Sequence, residues 1–422
     1  MAKPRIAYAG MTHLGVCSSI AAASKGFSVL GFDPDEALAR RLSSGQLHIN
    51  ESGLDELLRE NQARIAFDSD PARLADYDLI YVAPDIPTDS AGLSDLTGLD
   101  ALLDRVHSHA RADATVVVLS QVPPGYTRGR RKADRVLYYQ VETLVFGRAV
   151  ERATRPERFI VGCPDDRDGL PAALQEFLAA FDCPVLPMRL ESAEFTKISI
   201  NCYLAASVTI ANVLAELCTQ TGADWSEVAP ALKLDRRIGM HAYLAPGLGL
   251  SGGNIERDLA TVIGLSIEYG THADPIRAMV TDSLFRKDWA LRILHEALLG
   301  TAERPRLGIL GLAYKENTHS VKNSPALALI QHLAEWPIQV FDPVVPASVA
   351  DHPDVTAAGS AAAALSGADA LAIMTPWPEF RTLAAEEIAA AMRGRLVLDP
   401  YGILDSVKAR AAGLDYRTLG VR

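Results

Sequence analysis

The residues best placed to do chemistry stand near the amino end. There a short apolar run, Ile6–Ala9, leads into Gly10-Met11-Thr12-His13-Leu14-Gly15. A glycine turn between a strand and a helix lets backbone N–H groups approach a pyrophosphate, and the positive end of the helix favours the anion. The next apolar run ends at Asp33, close to the spacing of about 20 residues at which an acidic side chain meets adenosine ribose hydroxyls. A carboxylate there repels a 2′-phosphate, so the pattern points to NAD rather than NADP. Gly10, Thr12, Leu14, Gly15 and Asp33 are candidate cofactor contacts, with Thr12 at the fingerprint's middle glycine. Its Cβ falls where the backbone should come closest to the ligand. Two readings follow, a working dinucleotide site or a domain of the same shape that no longer holds one.

Other reactive groups are less organised. The five cysteines, Cys17, Cys163, Cys183, Cys202 and Cys218, form no CxxC and have no nearby histidine pair, so neither a disulfide framework nor a zinc site is expected. Arg128, Arg130, Arg131 and Lys132 follow a Pro-Pro-Gly turn and read as a solvated helix face, with a phosphate contact as the alternative. Lys197 and Asn201, at i and i+4, share one face of a helix.

Three stretches of different texture must position these groups. From Arg5 to about Pro187, the runs Ile6–Ala9, Val29–Phe32, Leu79–Ala83, Thr115–Leu119 and Phe159–Val161 alternate with amphipathic segments, as parallel strands linked by helices do. From about Glu191 to Leu299 strand-like runs vanish, and Glu194–Thr219 keeps a 3.6-residue period without glycine or proline, which predicts one long helix. From Arg306 the alternation resumes with Leu307–Leu310, Pro337–Phe341, Ala370–Met374 and Leu396–Leu398, and Ala361–Ala364 reads as helix. The expected architecture is α/β, two Rossmann-like doubly wound domains (1–188 and 301–422) joined by a mainly helical central domain (189–300).

Composition narrows the class. A chain of 422 residues, half of them hydrophobic, has enough apolar side chains for two or three cores. A formal charge of −11 argues against nucleic acid or an anionic membrane as partner. No uninterrupted apolar run reaches the roughly 18 residues of a membrane span, and the first residues lead directly into a strand, so a cytoplasmic location is expected.

Longer motifs carry a resemblance. Val29-Leu-Gly-Phe-Asp33, Ile49-Asn-Glu-Ser-Gly-Leu-Asp-Glu-Leu57, Leu119-Ser-Gln-Val-Pro-Pro-Gly125, Glu194-Phe-Thr-Lys-Ile-Ser-Ile-Asn201, Ala211-Asn212 and Arg237-Ile-Gly239 occur in order. They are followed by Gly308-Ile-Leu-Gly-Leu-Ala-Tyr-Lys315-Glu-Asn-Thr318, Ser324-Pro-Ala326, Val340-Phe-Asp-Pro343 and Thr375-Pro-Trp377. Over nearly its whole length the chain resembles the UDP-glucose/GDP-mannose dehydrogenase family. That resemblance implies NAD-linked oxidation of a sugar-nucleotide alcohol, with a cysteine carrying a thiohemiacetal and then a thioester. It also implies a homodimer built on the central helix.

The family's cysteine lies in a glycine-rich loop that here reads Pro246-Gly-Leu-Gly-Leu250-Ser-Gly-Gly-Asn254-Ile-Glu-Arg257-Asp258. Matching both ends puts Asn254 at the cysteine position, or Gly253 if the alignment slips by one. Neither can form a thioester. The resemblance assigns Lys197 and Asn201 to oxyanion charge and water, Asp258 to the aspartate beside the cysteine, and Glu142 to the acid/base relay. It places Arg237, Leu250, Lys315 and Tyr401 on the substrate and Lys322 on the cofactor. Gln121, Phe146, His319, Ser320, Lys322, Tyr401 and the run Pro84-Asp85-Ile86-Pro87 depart from the family's pattern. Replacement of an arginine by Tyr401 removes a bidentate anion contact. The expected activity is an NAD-dependent oxidoreductase on a nucleotide sugar or related phosphorylated metabolite, by two-electron or otherwise non-thioester chemistry. The alternatives are a non-catalytic binding or scaffold homologue, and a redox-neutral epimerase or lyase with bound NAD.

Overall fold

Strands buried on both faces must be apolar throughout, and that requirement sorts most of this chain into two sheets. The computed structural model describes residues 3–89, 92–132, 135–164, 169–298, 304–333 and 335–421. The chain divides into two compact units, Met1–Ile200 and Asn201–Arg422. The boundary expected at 300/301 lies outside the described residues.

The first unit is built on β1 (Ile6–Ala9), β2 (Val29–Phe32), β3 (Ile65–Asp68), β4 (Leu79–Val82), β5 (Thr115–Val118), β6 (Leu137–Gln140), β7 (Phe159–Cys163) and β8 (Val185–Arg189). Their order in the sheet is β3-β2-β1-β4-β5-β6-β7-β8. Pairing is parallel except between β6 and β7. The direction of winding reverses between β1 and β4, and in open α/β sheets ligands bind outside the carboxyl ends of strands at such a switch point. Helix α1 (His13–Ser24) follows β1 after three residues, and nine of its twelve residues are buried.

The second unit carries β9 (Leu307–Leu310), β10 (Ile338–Phe341), β11 (Val355–Ala357), β12 (Ala370–Ile373), β13 (Leu396–Leu398) and β14 (Asp415–Arg417), ordered β11-β10-β9-β12-β13-β14. All of its pairs are parallel, so the winding pattern of the first sheet recurs.

Helix α2 (Leu190–Thr221) begins in the first unit and ends in the second; α3 (Trp225–Leu234), α4 (Asn254–Glu268), α5 (Asp274–Lys287) and α6 (Trp289–Leu298) follow. By length and average hydropathy α2 is of a kind that could cross a membrane. Its apolar residues are interrupted by polar ones, among them Asn201 and Asn212, so no unbroken apolar run of that length occurs in it. Asn201 and Asn212 are 7% and 3% exposed. Each has a protein partner: Asn201 Nδ2 donates to Asp258 Oδ2, and Asn212 Oδ1 accepts the Gly247 N–H.

Candidate functional site

The turn after β1 is tight because two glycines leave no room for anything larger. Gly10 has φ +94°, and a Cβ there would lie 2.8 Å from the Pro84 nitrogen. A Cβ on Gly15 would lie 1.8 Å from the Gly10 carbonyl oxygen. Thr12 sits at the N-cap of α1 with φ −79° and ψ −168°, a conformation open to any residue. Its hydroxyl does not cap the helix; Oγ1 instead accepts the Asp85 N–H at 2.7 Å. The threonine therefore ties the turn to the segment after β4. Asp33, beyond β2, accepts the Met11 N–H at 2.7 Å through Oδ2 and the Asp35 N–H through Oδ1. Leu14 is buried in the core beneath the turn. Strand, glycine turn, helix and acidic residue thus stand together, and the turn fits a dinucleotide.

Two further candidates meet in the same unit. Lys197 Nζ donates to the Glu142 carbonyl at 3.0 Å and lies 3.2 Å from its Oε2, with side chains 12% and 15% exposed. Glu142 Oε1 also accepts the Leu144 N–H. A cavity of about 50 Å³ lies beside Glu142, with Ser18, Gln140, Thr143 and Arg152 among its lining; this is room enough for water among polar partners.

In the second unit, Asn201 Nδ2 donates to Asp258 Oδ2 at 2.5 Å, and Arg257 Nε lies 3.4 Å from Asp258 Oδ1. Asp258 is 1% exposed, so its oxygens are met by protein donors such as these rather than by bulk water. Asn254 is the first residue of α4, exposed, after Gly253 at φ +90°. Glu256 accepts the Gly253 N–H at 3.1 Å, Lys287 Nζ at 2.9 Å and Asn323 Nδ2 at 2.5 Å. Lys322 packs its methylenes over Gly253.

The remaining candidates scatter. Tyr401 lines a cleft of about 500 Å³ with Trp225, Pro246, Pro376, Arg381 and Thr418, beyond the carboxyl ends of β12, β13 and β14. This is the size of a small-molecule site. Its hydroxyl donates to the Met374 carbonyl at 3.3 Å, and burial raises its pKa. Arg237, Leu250 and Lys315 are not among the lining residues. Arg237 is 89% exposed and pairs with Asp235; the Leu250 N–H donates to Ser283 Oγ; Lys315 Nζ stands 5.7 Å from the Tyr314 ring centroid. In the basic cluster, Arg128, Arg130 and Lys132 pair with Glu191, Asp100 and Asp104, which favours the ion-paired solvated face.

Sequence reasoning missed His13 and Glu51. His13 Nε2 lies 2.8 Å from Glu51 Oε1, and Glu51 also accepts the Gly147 and Ala149 N–H groups. Burial alone would raise the Glu51 pKa, but the His13 contact and the two backbone donors outweigh it and hold the carboxyl below its ordinary value. The signal available was Glu51 inside the motif Ile49–Leu57. Burial raises the thiol pKa of Cys17, Cys163, Cys183 and Cys202. At Cys202 burial and then the Asp258 charge push it to about 11, so this thiol is protonated near neutrality.

A doubly wound sheet bearing a glycine turn and an acidic second strand, together with a second sheet of the same winding, defines a nucleotide-binding α/β protein of dehydrogenase type. Models of the UDP-glucose/GDP-mannose dehydrogenase family match residues 4–181 (NAD binding domain), 191–282 (central domain) and 308–406 (UDP binding domain). The UDP-glucose 6-dehydrogenase AglM of Haloferax volcanii is 31% identical, covering 97% of this chain and 98% of that protein. The UDP-glucose 6-dehydrogenase TuaD of Bacillus subtilis is 29% identical over 99% of this chain and 93% of its own length. A UDP-glucose dehydrogenase structure from Pyrobaculum islandicum superposes with a TM-score of 0.88 at 28% identity, covering 100% of this chain and 98% of that one. The chain belongs to the UDP-glucose/GDP-mannose dehydrogenase family, and its cofactor is NAD.

Proposed function

We propose that the protein is an NAD-dependent oxidoreductase acting on a nucleotide sugar or a related phosphorylated metabolite without a thioester intermediate. The observation that carries this reading is the retention of two polar pairs, the half-buried Lys197–Glu142 and the buried Asn201–Asp258, while the position matched to the cysteine holds Asn254. An amide nitrogen is too weak a nucleophile to add to an aldehyde and leave from an acyl group. Lys197 supplies positive charge for a developing alkoxide, with Glu142 fixing its ammonium. Asn201, held by Asp258, orients the hydroxyl or a water, and a carboxylate or water takes the proton. NAD held at the turn of Gly10, Thr12 and Gly15 would supply the hydride acceptor. The absence of an arginine at Tyr401 favours a sugar without an anionic group at that contact.

The same reading includes a homodimer through α2 and a cytoplasmic location. Support for the dimer comes from Tyr203, Ile210, Leu214 and Leu217, which are 81%, 58%, 40% and 52% exposed on α2.

The test is to incubate the purified protein with NAD and a panel of nucleotide sugars and to count NADH formed per sugar consumed. One NADH per sugar is the expected two-electron result. Two, insensitive to thiol alkylation, indicate a second oxidation through the aldehyde hydrate. NAD binding with no turnover on any sugar overturns the oxidoreductase reading in favour of a scaffold. Lys197→Ala is expected to lower kcat by about 10²–10³-fold, measured as NADH formation at saturating substrate.

A further inference from the structure

The first turn of α1 holds a hydrogen-bonded histidine–carboxylate pair that the glycine fingerprint does not call for. The side chains of His13 and Glu51 are 12% and 2% exposed and meet at 2.8 Å. Glu51 is fixed by two further donors, the Gly147 and Ala149 N–H groups. As an ionised acceptor it keeps a proton on His13 Nε2. Nδ1 has no hydrogen-bond partner among the described residues, so it can take a second proton and make the ring a cation. Phe146 lies against the imidazole in a tilted arrangement, with centroids 4.3 Å apart and the ring planes 37° from parallel.

The charges around this ring are unbalanced. On its own helix stands Cys17, whose sulfur is 3.9 Å from Nε2 and whose thiol is kept protonated by burial. The segment before the helix Leu54–Asn61 brings Glu51 and His48, and Arg41 acts on His48. Asp33 comes from the end of β2. Asp85 follows β4, with its N–H on Thr12. Glu142 follows β6, paired with Lys197. Asp33 accepts the Met11 N–H of the turn, the Asp85 N–H donates to Thr12 and Glu51 holds His13, and a pyrophosphate adds two negative charges. Backbone dipoles alone meet that charge in an ordinary fingerprint.

We propose that His13 is a further cofactor-binding residue: held by Glu51 at the first turn of α1, it takes a proton from solvent when NAD binds, and the imidazolium offsets the pyrophosphate charge. This rests on NAD occupying the glycine turn of the first unit.

The experiment is isothermal titration of the full chain with NAD at pH 6, 7 and 8 at constant ionic strength, in two buffers of different ionisation enthalpy. NAD itself does not titrate in this range. Affinity is expected to fall as pH rises, by at most roughly tenfold per unit, with net proton uptake approaching one. In His13→Gln both the slope and the uptake are expected to vanish, and binding at pH 6 to weaken. In Glu51→Gln, which removes the anion favouring the imidazolium, the slope is expected to move to lower pH. Binding of NAD by the native protein with no pH dependence and no proton uptake overturns the inference alone. So does an unchanged slope in His13→Gln, which would assign the proton to His48. Absence of NAD binding at every pH overturns the oxidoreductase reading and this inference with it.

Discussion

At the scale of single residues, the decisive contacts are made by side chains that satisfy buried charge. Glu51 is the clearest case because its carboxylate is buried with three donors on it. Its folded pKa lies below the ordinary 4.5, so it contributes stability that is fully present above that value and lost as pH falls through the folded pKa. Glu51→Gln is expected to cost about 1–3 kcal/mol near pH 7. The difference from the native protein should shrink below pH 4.5, read from urea unfolding at a series of pH values. None of this was visible in the fingerprint, which scores glycine positions and the acidic residue and is silent on what the variable residues between them touch. The pairing of Lys197 with Glu142 and of Asn201 with Asp258 was equally hidden. Resemblance could name the four residues, but partners 55 and 57 positions apart in the chain are joined only by the fold.

At the scale of elements, the loop before α4 shows how one carboxylate holds a glycine-rich segment in shape. Glu256 stands two residues after Asn254 and gathers the Gly253 N–H, Lys287 and Asn323. It caps the helix and ties it to α5 and to the 315–324 segment. Glu256→Ala removes the cap and leaves Lys287, only 11% exposed, without that carboxylate. The expected loss is about 2 kcal/mol, measured by thermal or urea unfolding. Elements were legible where burial was uniform. β1, β2, β9 and β13 match their apolar runs to the residue, because strands covered on both faces leave no place for polar side chains. β8 and β14 were not legible, being sheet edges with exposed side chains and the sequences Val-Leu-Pro-Met-Arg and Asp-Tyr-Arg. β6, though buried, ends in Tyr-Tyr-Gln and lacks an aliphatic run. The period of α2 was clear, but its start at Leu190, directly after β8, was not.

At the scale of the whole molecule, α2 leaves a stripe of apolar side chains exposed in a single copy of the chain. Only a third of its most apolar window is buried. Tyr203, Ile210, Leu214 and Leu217 recur at intervals of seven, four and three residues, which places them along one stripe of a helix. Burying a side chain of this kind is worth about 1.5–3 kcal/mol, so leaving such a stripe in water forgoes a large part of what usually holds a protein together. In the proposed dimer, a second copy meeting the first across a two-fold axis would cover the stripe with itself in a self-complementary interface. Like charges inserted near that axis oppose each other and must be desolvated together. The native protein is therefore expected to sediment as a dimer at micromolar concentration, and Tyr203→Asp combined with Leu217→Glu to sediment as a monomer with an intact far-UV circular dichroism spectrum. A native protein that sediments as a monomer at every concentration removes the dimer from the proposed function. A double variant that stays dimeric assigns the contact to another face.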